Sequence, residues 1–268
     1  MKTIKILAII GVISVTVFST SSFTLISKNN KGITINKPHF AVVELFTSEG
    51  CSSCPSADEA IASLQKEDRD KPVYILAFHV DYWNTHSWKD VFSSAENSKR
   101  QKKYADYLRL SSVYTPQVVV NGQKEFVGSE VGTLHNSIKA ALQKDELANL
   151  VLSDVKYNQN KVSLHYQADG NDLNSMLVLA LVQKNAVSHV KGGENGGRIL
   201  THVQIVQKFQ VVLLSDNKSG IETFSLPIGF NPQGWEIIGF IQNTINGEII
   251  GANKVGFGIE AHLASKLN

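Results

Sequence analysis

Cysteine is nearly missing from this chain. Its 268 residues contain two, Cys51 and Cys54, so any thiol chemistry is confined to one point. A surplus of charge is missing too. The formal net charge is +2, and Lys2 and Lys5 supply it; without them 24 basic residues face 24 acidic ones, because the first acid is Glu44. A chain that neutral has no global field to attract nucleic acid, which excludes that class of partner. The glycine-rich stretch Gly192–Arg198 is followed by no Gly-Lys-Ser/Thr and no helix, which excludes a phosphate-binding loop. What is present is ordinary globular material: 43% hydrophobic and 19% charged residues, enough for one large core or two smaller ones.

The N-terminus reads as an export signal or anchor over residues 1–26. Lys2 and Lys5 precede an apolar stretch from Ile6 to Phe18, and Ser19–Ser22 offers small residues for cleavage, although no alanine stands there. No cysteine follows the stretch, so a lipoprotein anchor is excluded. An uncleaved segment, counted on to Ile26, is long enough to span a bilayer and would give weak membrane association. Either outcome places the folded part outside the cytoplasm, secreted or periplasmic, where cysteine pairs are oxidised or redox-active. Residues 27–38 read as a polar tether.

The two cysteines sit at a seam. The apolar run Phe40–Phe46 predicts a strand; Ala57, Ala60, Ile61 and Leu64 recur at helical spacing and predict a helix starting at Cys51-Ser52-Ser53-Cys54-Pro55. One helical turn brings the sulfurs within bonding reach, and the helix N-terminus favours a thiolate on the first. Asp58 and Glu59 are placed in the first turn, where acids complement the dipole. Val73–Phe78 is a second apolar strand, which completes a βαβ unit with the cysteines at a strand's carboxyl end. Beyond it come His79-Val80-Asp81-Tyr82-Trp83, Trp88 and a helical stretch from about Ser94 to Leu110. Lys99, Arg100, Lys102 and Lys103 read as its solvated face, opposite Tyr104, Tyr107 and Leu108. Thr115-Pro116 precedes a strand at Val118–Val120; a proline at the entry to a buried strand is accommodated by a cis bond. Asn121-Gly122 predicts a hairpin turn, and Val131, Leu134, Ile138 and Leu142 mark a closing helix.

This combination resembles the thioredoxin fold. The stretches Val43–Pro55, His79–Trp83, Tyr114–Gln117 and Gly193–Arg198 together resemble, more closely, a family of secreted thioredoxin-like proteins classed as a domain of unknown function (domain of unknown function 1223). The resemblance implies that Cys51 is the exposed nucleophile, Cys54 the buried resolving thiol, Pro116 the cis-proline and Thr115 the residue presenting its backbone to the substrate. It also implies a buried acid that relays protons for Cys54. Glu44 is the nearest candidate, with one more residue to Cys51 than thioredoxins have. The expected fold is an α/β thioredoxin-like domain with an inserted helix over residues 37–148, followed by an all-β sandwich-like domain over 149–268. Short alternating runs between Val162 and Ile241 and the hairpin signal Asn246-Gly247 predict the latter.

The function expected is an extracytoplasmic thiol–disulfide oxidoreductase whose partner is a protein or small-molecule disulfide or thiol, with no cofactor. The alternative is a metal-binding protein similar to the thioredoxin-fold copper chaperones of cytochrome-oxidase assembly, holding copper on the same thiols with His79 or His135. Chaperone cysteines are spaced by three residues rather than two, and no metal ligand set is assigned. An inert structural disulfide is the third reading. In the second half, Gly192–Arg198 reads either as a plain hairpin connection or as a loop folded over the cysteine rim with Arg198 and His202 facing the thiols.

Overall fold

The structure is a computed structural model that describes residues 39–258 except 87, 159, 170–173 and 216. The expected export segment (1–26) and polar tether (27–38) lie outside the described residues. Strand β1 (Ala41–Thr47), helix α1 (Cys54–Glu67), strand β2 (Val73–His79), helix α2 (Ala95–Leu108), strands β3 (Gln117–Val120) and β4 (Lys124–Val127) and helix α3 (Val131–Ala141) follow in order. Seven strands follow among the described residues: β5 (Asn149–Tyr157), β6 (Lys161–Asp169), β7 (Ser175–His189), β8 (Ile199–Leu213), β9 (Ser219–Ser225), β10 (Trp235–Asn243) and β11 (Ile249–Gly256).

The expected fold, a thioredoxin-like α/β domain with an inserted helix and then a separate sandwich, is not what forms. The protein is mostly β, with eleven strands and three α-helices among the described residues. Eight strands make one mixed sheet in the order β11-β10-β7-β8-β2-β1-β3-β4, drawn from both halves of the chain. Only β5, β6 and β9 form a second, three-stranded sheet. The reason lies in β7 and β10, which are apolar on both faces. Leu177, Leu179 and Leu181 pack under the small sheet, while Val178, Ala180 and Val182 join Phe46, Phe78 and Tyr104 on the other side. Strands buried on both faces belong inside a layered sheet, and a two-layer sandwich leaves one face wet.

Alternation in β1 sorts the first half in the same way. Ala41, Val43 and Leu45 pack against α1 and α3, whereas Val42 and Phe46 face the layer that contains Tyr104 of α2. Two of the junctions between the halves are backbone junctions. Between β2 and β8 there is a single register pair, Ala77 with Ile205. That pair is parallel, and His202 lies against His79 and Phe209 against Phe78. At the other junction the two Asn-Gly turns touch. Asn121 and Gly122 have φ of +47° and +68°, and a Cβ on Gly122 would stand 1.9 Å from the Gly247 carbonyl oxygen.

Candidate functional site

Strand β1 ends at Thr47, and Ser48–Ser53 turns the chain into α1 with Pro55 in the first helical turn. Cys51 and Cys54 form a disulfide across this turn, with their Cα atoms 5.5 Å apart. The Ser53 Oγ lies 3.4 Å from Cys51 Sγ, and the Thr115 carbonyl oxygen lies 3.8 Å from it. The Thr115–Pro116 bond is cis. Trp83 forms a wall: its indole N–H donates to Thr115 Oγ1 at 2.8 Å, and its Cβ would be 3.1 Å from a Cβ on Gly50. Cys51, Cys54, Thr115 and Pro116 are thus brought together.

Two expectations about this group need correction. Cys51 is not an exposed nucleophile; it is 1% exposed, and Cys54 is fully buried. The loop between β7 and β8 packs onto the backbone of the cysteine turn. Asn195 donates from Nδ2 to the carbonyls of Glu49 and Cys51 at 2.9 and 2.8 Å, and the Ser52 N–H donates to the Glu194 carboxylate at 2.8 Å. This is the folded-over loop, but Arg198 is exposed and donates to Asn195 Oδ1 instead of facing sulfur.

Glu44 is the second correction, because it lies on the opposite face of the sheet from α1. It accepts hydrogen bonds from Arg100 Nε and Nη2 and from the Tyr104 hydroxyl. The Arg100 guanidinium, expected on a solvated face, is buried among Phe78, Tyr104 and Phe240, 5.1 to 5.4 Å from each ring. Position 100 lies one turn before Tyr104, so both side chains share the packed face. Asp81 is likewise committed elsewhere and accepts a hydrogen bond from Ser98 on α2.

Beneath the cysteine turn lies a buried polar cluster that sequence reasoning did not assemble. Helix α1 starts at Cys54, so Asp58 falls one turn in, on the buried side, rather than in the first turn. It accepts from Thr47 Oγ1 at 3.2 Å and faces His202 Nδ1 at 3.4 Å. Glu49 lies 3.4 Å from His202 Nε2. Neither His202 contact has hydrogen-bond geometry, so charge attraction is the better description. Burial disfavours a charged His202, but Asp58 and Glu49 outweigh it and hold the imidazole up at about 9. Next to it, edge to face at 4.7 Å, is His79, whose Nδ1 is 2.7 Å from Asp90. Asp90 also accepts the N–H groups of Glu49 and Phe92. The signal available in the sequence was spacing: Asp58 follows Cys54 by four residues, and Glu49 precedes Cys51 by two.

The copper alternative gains no support from these positions. His135 is on α3, half-exposed, 3.9 Å from Glu67, and His79 is tied to Asp90. Among the described residues no three His, Cys, Asp or Glu side chains form a metal-ligand group.

Comparison with known proteins places the chain among relatives of unknown activity. No curated protein matches it. A crystal structure of a protein from Agrobacterium tumefaciens is similar, with 26% identity, a TM-score of 0.63, and coverage of 82% of this chain and 95% of that one. A β-glucosidase from Kluyveromyces marxianus in complex with glucose aligns at 17% identity over 41% of this chain and 14% of its own, with a TM-score of 0.22, too low to carry an argument. The family described as protein of unknown function (DUF1223) matches residues 42–242, which include the cysteine turn, the Thr115–Pro116 segment and the covering loop, and the chain belongs to that family.

Proposed function

We propose that this protein is a thiol–disulfide oxidoreductase working outside the cytoplasm, with Cys51 and Cys54 as its redox pair. The observation that carries the reading is the disulfide at the mouth of α1, with the Thr115 carbonyl 3.8 Å from Cys51 Sγ. That carbonyl marks a backbone edge on which a partner's extended chain could align beside the sulfur. In the reduced form the helix N-terminus favours the Cys51 thiolate. The thiolate attacks one sulfur of a partner disulfide; the partner's S–S bond breaks, and its other sulfur leaves with the electron pair and takes a proton. Cys54, giving up its proton, then attacks Cys51 Sγ, reforms the intramolecular bond and releases the second partner sulfur as a thiol. The partner gains two electrons and two protons, which an external dithiol must restore to the cysteine pair. Reading residues 1–26 as an export signal supports the location.

The test is direct. Purified protein is equilibrated with dithiothreitol and its oxidised form to measure a reduction potential, and is then assayed for reduction of insulin. A measurable potential and turnover that Cys51→Ser abolishes are expected. A Cys54→Ser variant should accumulate a mixed disulfide through Cys51. If insulin is untouched and the reduced pair instead holds stoichiometric Cu(I), the proposal is wrong.

A further inference from the structure

We infer that the Gly192–Arg198 loop is a lid that governs reagent access to the Cys51–Cys54 disulfide. This inference rests on the redox reading above and concerns the regulation of that site. The loop keeps its shape through its own backbone. The Val190 N–H donates to Arg198 O, Gly197 N–H to Val190 O and Gly196 N–H to Gly193 O, with Gly193 and Gly197 at φ of +74° and +84°. What ties it to the cysteine turn is a separate set of contacts. Asn195 is 1% exposed although it stands in an otherwise exposed stretch. Both hydrogen bonds that its Nδ2 donates go to the turn, one to Glu49 O and one to Cys51 O. Its Oδ1 accepts from Arg198 Nη1 at 2.8 Å, which fixes which way the amide points. Glu194 adds a carboxylate on the Ser52 N–H, and Gly193 rests on Gly50 so closely that a Cβ would be 3.3 Å from the Gly50 Cα.

The consequence is kinetic. Thiol attack on a disulfide needs a path to the sulfur, and Cys51, in the turn to which this loop is bonded, is 1% exposed. A self-bonded loop held by a few contacts opens as a unit, at a far smaller cost than global unfolding. The lid occupies the Ser52 N–H and the Glu49 and Cys51 carbonyls, polar backbone that a partner aligned on the Thr115 edge would meet next to the sulfur. A partner must therefore displace Glu194 and Asn195, while a small thiol must wait for spontaneous opening.

The full-length oxidised protein is mixed with excess dithiothreitol, and free thiols are counted over time after acid quench. In this reaction the reagent's two thiols become a cyclic disulfide, the Cys51–Cys54 bond breaks, and each cysteine sulfur gains a proton. Asn195→Ala is expected to speed reduction tenfold or more, Arg198→Ala severalfold, and Glu194→Ala more than Glu194→Gln, which keeps an acceptor. Circular dichroism checks that each variant is folded; if Asn195→Ala is not, the variants at exposed Glu194 and Arg198 decide. Rates within twofold of the parent across the folded variants would overturn the lid. Insulin turnover is measured in parallel: its absence in every variant speaks against the redox reading, while the dithiothreitol rates still judge the lid.

Discussion

His202 lies between Glu49 and Asp58, 3.4 Å from each, with the His79–Asp90 pair against its ring. Its pKa of about 9 stands above the ordinary 6.5, so the folded state holds a proton that the unfolded chain gives up. The stabilisation is fully present below pH 6.5 and is lost as pH rises through 9; the shift corresponds to about 3 kcal/mol. Denaturant titrations from pH 6 to 9.5 should show stability falling for the parent. His202→Gln should be less stable at pH 6 and much flatter above it, and parallel curves would contradict the assignment. Glu44 is the other residue to test, because its carboxylate is the counter-charge of buried Arg100. Replacing it by Gln leaves a guanidinium without compensation and should cost about 3–5 kcal/mol, measured by urea unfolding. If Glu44→Gln instead slows disulfide exchange with stability unchanged, the proton-relay role that the resemblance implied is restored.

Among the elements, the hairpin turns and the lid depend on backbone that only glycine fits. Gly122 has φ +68° and touches the Gly247 carbonyl. Gly122→Ala therefore strains its own turn and pushes the two hairpins apart, and the melting temperature should drop by several degrees in a thermal scan. Gly193→Ala combines φ +74° with pressure on Gly50. It should prop the lid and raise the dithiothreitol rate in the same direction as Asn195→Ala. The elements themselves were legible. The face Ala57, Ala60, Ile61 and Leu64 is the buried face of α1, and Asn121-Gly122 and Asn246-Gly247 are turns. On α2, Arg100 shares its charge with Lys99, Lys102 and Lys103, but its position one turn before Tyr104 puts it on the packed face. A long aliphatic stem and a planar cation suit an aromatic cage once a carboxylate waits opposite.

At the scale of the molecule, one sheet drawn from both halves has a consequence for unfolding. Residues 37–148 end in a β2 edge that β8 covers, and β7, β8, β10 and β11 depend on that same sheet. Unfolding followed by far-ultraviolet circular dichroism and by tryptophan fluorescence should give one coincident transition. Two separated transitions would mean that the halves are independent. A fragment cut after residue 148 should fail to fold cooperatively, since it exposes the apolar faces of Phe46 and Phe78 that Val178, Val206 and Phe240 help to cover.

What the sequence determined by itself was local: the strand–turn–helix that carries Cys51 and Cys54, the proline at the mouth of β3, the turn glycines and, in the second half, strands β6 to β10. Each depends on residues within a few positions of one another, through periodicity, φ preference and a helix start. Tertiary structure alone decided which strands share a sheet, that Glu44 belongs to Arg100, that His202 joins Glu49 and Asp58, and that Asn195 bonds the Cys51 carbonyl from 144 residues away. Those pairings join groups remote in sequence, and burial selects among them only when whole layers pack: a buried charge or amide takes whatever partner the fold brings to it, and the local pattern carries no record of which one that is.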